Sequence, residues 1–473
     1  MMDENAADIV VVGSGPGGAV AAATLAEAGR DVLILEDGPE LSADSCAPFS
    51  IAEMRQKYRN AGLTVAAGSP RIQYVEGRVV GGGSEINSGL YHRTPEKVLE
   101  SWGEEFGVRD CSPAHLRPHF EACEQELGLS RYPHDPPLAA RKLQAGARAC
   151  GIEVREIPRL FRCADSGAGG QRRSMSRTFL ARARNAGARI SSGIRVLGLS
   201  QEAGGWNLAA QSAQGEKIAF KAAHVFLSCG AIQTPAILRR SSLSAVAGTT
   251  LALHPTIKIV AEFPEPVNPG SWGVPSFQAS DAGNGLLYGC SISSPAHLSV
   301  SLLDHPEHLP AVAERWKNMA VYYAMTEGPA IGRVRALPGF HDPLVSYSLP
   351  SYCIERLGQG LRSLAQILLH AGAQNLYPTV AGLGPWQNRQ DIERIPAKLD
   401  PGALRLMTIH LFSSCRMGED VKRCATGSFG EVHGQKNLRV CDASLLCSAP
   451  GVNPQGSIMA LARRNALEFL GKL

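Results

Sequence analysis

The 473-residue chain carries 47 Lys and Arg against 43 Asp and Glu, a formal net charge of +4, with 44% hydrophobic and 19% charged residues. This is the balance of an ordinary globular protein, and without a Lys/Arg run it gives no support to a nucleic-acid partner. No apolar stretch approaches the ~20 residues that span a bilayer, so no transmembrane segment is expected. Twelve cysteines, scattered singly with no C-x-x-C pair or His/Cys cluster at zinc spacing, argue against a metal site and for a reducing cytoplasm. The opening MMDENAAD has neither a charged nor an apolar leader region, so no secretory signal is expected.

Asp8–Gly38, DIVVVGSGPGGAVAAATLAEAGRDVLILEDG, reads as strand, glycine turn, helix, strand. Ile9 to Val12 are apolar and β-branched without alternation, the pattern of a parallel strand buried on both faces. Gly13, Gly15 and Gly18 have the G-x-G-x-x-G spacing: a sharp turn, a close approach for a pyrophosphate, and close helix packing. The diphosphate belongs on the helix N-terminus, and Glu36 closes the second strand, placed to accept from ribose hydroxyls. An acid at that position argues against a 2′-phosphate, leaving FAD or NAD as the ligand.

Leu41 to Ser69 reads as an irregular surface excursion. In GRVVGGGSEINSG, the backbone of Gly81, Gly82, Gly83 and Ser84 can approach a flat ligand, and Asn87 adds a polar side chain. Trp102 to Leu129 has helical spacing, and a partly helical segment packing across the entrance is expected. The loop CADSGAGGQRRSMS leads into a helix over Arg177 to Ala186, with Arg172 and Arg173 read as a solvated pair. Ile194 to Leu199 continues as strand, with Val196 presenting backbone near the adenine. Trp206 to Phe220 reads as a hairpin around Gln214-Gly215, and Val225 begins another buried strand before a helix over Thr234 to Arg239. A second nucleotide-domain crossover so far from the first makes that domain discontinuous.

From about Glu262 to Asp400 the texture becomes proline-rich and aromatic, with alternating runs at Val321 and Leu344 and a helix over Tyr352 to Ala371. This predicts an antiparallel sheet roofing a ligand pocket. Trp272, Phe277, Tyr288, Tyr322 and Tyr323 either line that roof, favouring a hydrophobic or aromatic substrate, or form core. The fold class expected is thus an α/β FAD-binding domain, Rossmann-like, doubly wound and discontinuous, with an α+β substrate domain built on an antiparallel sheet. The boundaries are 1–95, 155–260 and 401–473 for the first, 96–154 for the entrance segment, and 261–400 for the second.

At the far end stand HLFSSCRMG from His410 and NLRVCDASLLCSAPGVNPQGSIMALA from Asn437. Asp442 and Ala443 follow a short strand and are placed to meet pyrophosphate or ribityl groups. Pro454 suits the first position of a helix whose N-terminus would aim positive potential at whatever lies beneath Asn453, and Gln455 follows it.

Taken with GRVVGGGSEIN and SCGAIQTPAIL, these motifs make the chain resemble, over its whole length, the glucose-methanol-choline (GMC) oxidoreductases, nearer the bacterial cholesterol and long-chain alcohol oxidase-like members. The resemblance implies FAD and oxidation of a primary or secondary alcohol to an aldehyde or ketone, with oxygen or another acceptor emptying the flavin. It puts the catalytic pair at His410 and Asn453, with Glu36, Val196, Asp442 and Ala443 holding FAD and Gly81 to Asn87 covering its ring. A base must take the hydroxyl proton while the carbon gives up hydride to flavin N5, and imidazole suits that task. His410 is therefore expected to be the base and Asn453 to orient the substrate oxygen. His254, His92 and His433 read as core histidines, and Cys415 as a packed thiol. Two departures stand out: Ser413-Ser414 where relatives commonly have Gly-Thr, and a lone Cys163 where they often have two cysteines. A redox-neutral, hydroxynitrile-lyase-like FAD protein, a non-catalytic FAD protein and an NAD-dependent dehydrogenase remain open alternatives.

Overall fold

A computed structural model describes residues 4–42, 45–132, 135–162, 171–268 and 276–473. Cys163 and Trp272 lie outside the described residues.

The first sheet is built around β1 (Ala6–Val12), which lies between β2 (Val32–Glu36) and the strand Lys217–Leu227, both parallel to it. Arg189–Ser192 extends the parallel order beyond β2. Ile9 and Val11 pack on one face and Val10 and Val12 on the other, all buried, as a doubly covered strand requires. Lys217–Leu227 serves two partners: Lys217 to Ala222 pair antiparallel with Gly205–Ser212, and Val225 to Leu227 pair parallel with Leu438–Val440. The second arm of the expected hairpin and the expected buried strand are therefore one continuous strand. Helix α1 (Pro16–Glu27) and the C-terminal helix Gln455–Phe469 pack together against the face carrying Ile9 and Val11. The Rossmann-like fold expected from the sequence is present.

Among the described residues the second sheet has nine strands and is antiparallel except where Leu406–Thr408 runs parallel to Ile72–Tyr74. At its centre Thr256–Glu262 pairs with Met319–Thr326, which pairs with Leu286–Cys290, then Phe277–Asp281, then Glu153–Glu156. The helices Ser351–His370 and Leu138–Ala149 cover one face. Tyr288 and Tyr322 point into that covered face and are fully buried, so they are core rather than pocket wall. Tyr323, the next residue, faces the other way.

Three local expectations are corrected. Leu41 to Ser69 is not irregular throughout: Ser50 caps a helix over Ile51–Lys57 by accepting from Glu53 N, and Thr64–Ala66 joins the second sheet. Trp102 to Leu129 spans parts of two helices, Glu96–Phe106 and Pro113–Leu127, separated by Gly107 in the left-handed region. Trp102, Phe106 and Phe120 bury in the core of the first sheet, so these helices pack against that layer. The alternating run at Leu344 forms a separate two-stranded ribbon with Arg333–Arg335. Among the described residues no helix is long and apolar enough to cross a membrane.

Candidate active site

A cleft of about 1110 Å³, mouth included, opens at the carboxyl ends of β1, β2 and Lys217–Leu227, where open α/β sheets place ligands. The fingerprint glycines divide their tasks. Gly13 turns the chain at φ +99°, and a Cβ there would overlap the Ser228 carbonyl. At Gly18 a Cβ would overlap the Gly13 carbonyl, which is the close helix packing expected. Gly15 is different: its nearest neighbour is the Cα of Gly82 at 4.0 Å, and it faces the cleft as N-cap of α1, whose end no side chain caps. Donors and dipole there suit a pyrophosphate.

Glu36 is buried at the cleft wall; its Oε2 accepts from Ser14 N at 3.0 Å and Ser14 Oγ at 2.6 Å, and its Oε1 from Gly38 N at 2.8 Å. One lone pair on Oε1 stays free for a ribose hydroxyl. Burial pushes the carboxyl above its usual range, opposed by these hydrogen bonds. Val196 lines the same end. Asp442 also lines the cleft, yet its four acceptor positions are filled by Thr234 Oγ1, Gly230 N, Ser444 N and Ser444 Oγ. Its side chain organises the turn, leaving Ala443 and the backbone to meet a ligand.

Gly82 and Gly83 line the cleft, and a Cβ on Gly83 would meet nothing within 4 Å. Ser84 does not line it: its hydroxyl donates to Gly81 O and accepts from Met175 N. Asn87 donates to Gln455 Oε1 at 2.6 Å, tying the glycine loop to the start of the C-terminal helix, where Pro454 is the N-cap residue. The buried Asn87 Oδ1 has no partner among the described residues. An orphaned acceptor, an unfilled glycine cradle and an Ile409 side chain 46% exposed to the cleft are together the fittings of a large, flat, partly apolar nucleotide cofactor. Arg172 and Arg173 are not a solvated pair: Arg172 bonds Glu53 and the Glu85 carbonyl, and Arg173 bonds the carbonyls of Leu127 and Glu126.

His410 sits between Ile409 and Leu411, both on the cleft wall. Its Nε2 lies 3.3 Å from the Asn453 amide nitrogen, so the two predicted catalytic residues, 43 positions apart, do meet. Gln278, on the inner face of the second sheet, reaches Asn453 Oδ1 at 3.2 Å and the Tyr323 hydroxyl at 2.8 Å. Behind His410 stands His254, Nδ1 to Nδ1 at 3.1 Å, its Nε2 accepting from Gly451 N at 3.2 Å. His92 completes the group, next to Gln278 and close enough to His410 to disfavour its protonation. Burial lowers the His410 pKa to about 3 and that of His92 to about 4, and takes His254 well below the ordinary value. All three imidazoles are neutral in the working range.

His254, His92, Gln278 and Tyr323 thus belong to the site, although the two histidines read as core in the sequence. The signal for His254 exists only in register. Ala252 pairs with Phe412 and Leu253 with Leu411, which brings His254 opposite His410. His433 keeps its structural reading, bonding the Gly418 carbonyl, and Cys415 is a fully buried thiol.

Comparison with known proteins bears on the family and the fold. The two GMC oxidoreductase family models match residues 54–256 and 342–462, and a NAD(P)-binding Rossmann-like model matches residues 11–48. An uncharacterized GMC-type oxidoreductase, y4nJ of Sinorhizobium fredii, is 36% identical over 97% of this chain and 94% of its own. The long-chain-alcohol oxidase FAO3 of Arabidopsis thaliana is 27% identical over 96% of this chain and 66% of its own. The crystal structure of a pyridoxine 4-oxidase from Mesorbium loti superposes with a TM-score of 0.75 at 20% identity, covering 98% of this chain and 99% of that one. With family models over most of its length and a relative of this similarity, the chain belongs to the GMC oxidoreductases, and its cofactor is FAD.

Proposed function

We propose that the protein oxidises a primary or secondary alcohol to an aldehyde or ketone, with His410 and Asn453 engaging the hydroxyl. The observation that carries this reading is the 3.3 Å meeting of the His410 imidazole and the Asn453 amide beside the cleft. Two polar groups converging there, on a wall otherwise formed by Ile409 and Leu411, can hold one substrate oxygen. FAD, when bound, supplies the acceptor for the hydride from the alcohol carbon. The chain's own residues orient the oxygen, and the second sheet closes over them through Gln278 and Tyr323.

An apolar alcohol is the substrate class we place first, supported by the long-chain-alcohol oxidases among the relatives. The aromatic roof gives this less support than the sequence suggested, since Tyr288 and Tyr322 are core. Oxygen or another oxidant then empties the flavin. Singly packed, mostly buried cysteines support the reading of a reducing, cytoplasmic setting.

The test is anaerobic mixing of the yellow holoenzyme with sugar, benzylic, sterol and long-chain alcohols, followed by air. Bleaching by one class supports oxidation and names the substrate type; the rate of recovery in air separates an oxidase from a dehydrogenase. A flavin that no alcohol bleaches, in a protein that cleaves a cyanohydrin, overturns oxidation in favour of the redox-neutral lyase.

A further inference from the structure

One face of the second sheet carries a row of directly paired residues: Lys258 opposite Tyr323, Tyr323 opposite Gly289, and Gly289 opposite Gln278. Directly paired residues of antiparallel strands put their side chains on the same face. Lys258 therefore shares the face of Gln278 and Tyr323, the face that reaches Asn453 and, through it, His410. Tyr323 leans over the bare Cα of Gly289 to meet Gln278, and so leans away from Lys258. Met325 and Leu287, paired with each other one step along the same face, flank its ring with apolar surface.

Lys258 carries a charge that the protein leaves unanswered. Its backbone pairs with Thr379, but its ammonium meets no carboxylate and no other acceptor among the described residues. Burial lowers its pKa to about 8, with no acid near enough to oppose the fall. His297, beside it in the short helix Pro295–Ser301, supplies no countercharge: burial and then the Lys258 charge take its pKa to about 3, and its Nδ1 lies 2.7 Å from Ser294 Oγ. Glu262, four residues along the same face, is treated differently. Arg315 at 2.7 Å, Asn375 at 3.0 Å and Tyr377 at 3.1 Å all answer its carboxylate. An enclosed ammonium without such partners destabilises the free protein. Lys258 is nevertheless only half-buried, so part of its side chain borders open space within the fold. A lone cation on the wall of a cavity, on the same face as the residues that hold Asn453, is placed for a ligand.

We infer that Lys258 binds a carboxylate of the substrate, so that the alcohol oxidised here is a hydroxy acid with its hydroxyl at His410 and Asn453 and its acid group at the far end of an apolar chain. The inference rests on the alcohol-oxidation reading and narrows its apolar alcohols to those that end in an acid. Gln278 and Lys258 are three strand spacings apart, about 14 Å, which suits a chain on the order of ten carbons lying across Tyr323, Leu287 and Met325. No second cation bears on Lys258 among the described residues. One ammonium matches one negative charge, which favours a carboxylate over a phosphate monoester.

The test is anaerobic mixing of the FAD-loaded protein with 10-hydroxydecanoate and with its methyl ester, the bleaching rate being read against concentration. The acid is expected to exceed the ester in kcat/KM by about 30-fold, the range of a hydrogen bond to a charged group. Lys258→Met, which keeps the length and removes the charge, should bring that ratio close to one. An acid no better than its ester, or a preference that survives in Lys258→Met, overturns the inference. Decanoate, which has no hydroxyl to oxidise, separates binding from reaction. Calorimetric titration should show it binding the wild-type holoenzyme, and about 30-fold more weakly to Lys258→Met; equal binding to the two overturns the inference. Lys258-dependent binding of decanoate in a protein whose flavin no alcohol bleaches overturns alcohol oxidation and leaves the carboxylate site standing. If Lys258→Met does not fold, the acid-to-ester ratio of the wild-type enzyme still decides.

Discussion

The Tyr323 phenol occupies the space where a side chain on Gly289 would begin, so that a Cβ there would overlap its ring and hydroxyl. The two residues are paired across neighbouring strands, and the missing side chain lets Tyr323 lie over its neighbour and reach Gln278. Gly289→Ala should lift the phenol and release Gln278 from Asn453. The expected outcome is about tenfold or more off the rate of alcohol-driven flavin bleaching, with flavin content retained and a stability loss of about 1–3 kcal/mol for overpacking. An unchanged bleaching rate would mean that the second sheet does not help position Asn453.

His92 stands beside Gln278 and His410, with a buried Nδ1 that has no partner among the described residues. His92→Phe should slow bleaching by about 10²–10⁴-fold while leaving FAD bound. His410→Ala should be at least as damaging. Stopped-flow traces of the two variants side by side check both, and a fast His92→Phe protein would rule His92 out of the catalytic group.

Ser413 adopts φ +65°, in the left-handed region, and its buried hydroxyl has no partner among the described residues. By the family resemblance, glycine is the residue expected at this position. Ser413→Gly should therefore stabilise the protein by about 1–2 kcal/mol, read as a higher urea midpoint. A lower midpoint would show that Ser413 earns its place by a contact with ligand or water.

Neighbouring glycines should fail in different ways. Gly17→Ala sets a methyl into the Cys441 carbonyl and should prevent the C-terminal segment from docking, giving little folded protein. Gly15→Ala meets only an ordinary contact and should fold with a nearly normal melting temperature as apoprotein, yet lose FAD affinity. Absorbance at the flavin band against thermal melting separates the two.

Acid should unfold the protein readily. An unfolded histidine titrates near 6.5, whereas His410 and His92 stay neutral down to about 3 and about 4. Between those values the unfolded chain binds more protons. The stability these groups provide is complete above pH 6.5 and is lost as the pH falls toward 4, by up to ~1.4 kcal/mol per pH unit for each imidazole. Melting temperatures from pH 8 to 4.5 should show the fall, and it should be shallower in His410→Asn.

The chain order of motifs was enough to determine the nucleotide fold and, through the family resemblance it carries, the cofactor; that resemblance also put forward His410 and Asn453, which the structure brings together. A glycine fingerprint between two apolar strands, and a helix start after Pro450-Gly-Val-Asn-Pro, carry their geometry within a few bonds. Tertiary structure decided the rest. Which aromatics face the site depends on strand parity: Tyr322 is core and Tyr323 is not, although they are adjacent. Whether Asp442 touches the ligand through its side chain depends on partners more than 200 residues away, Thr234 and Gly230. His254 joined the site through a strand register linking positions 156 apart, and its Nε2 accepts from the Gly451 peptide N–H. Hydrogen-bond direction is a property of three-dimensional neighbours, and no pattern of residue types along one strand encodes it.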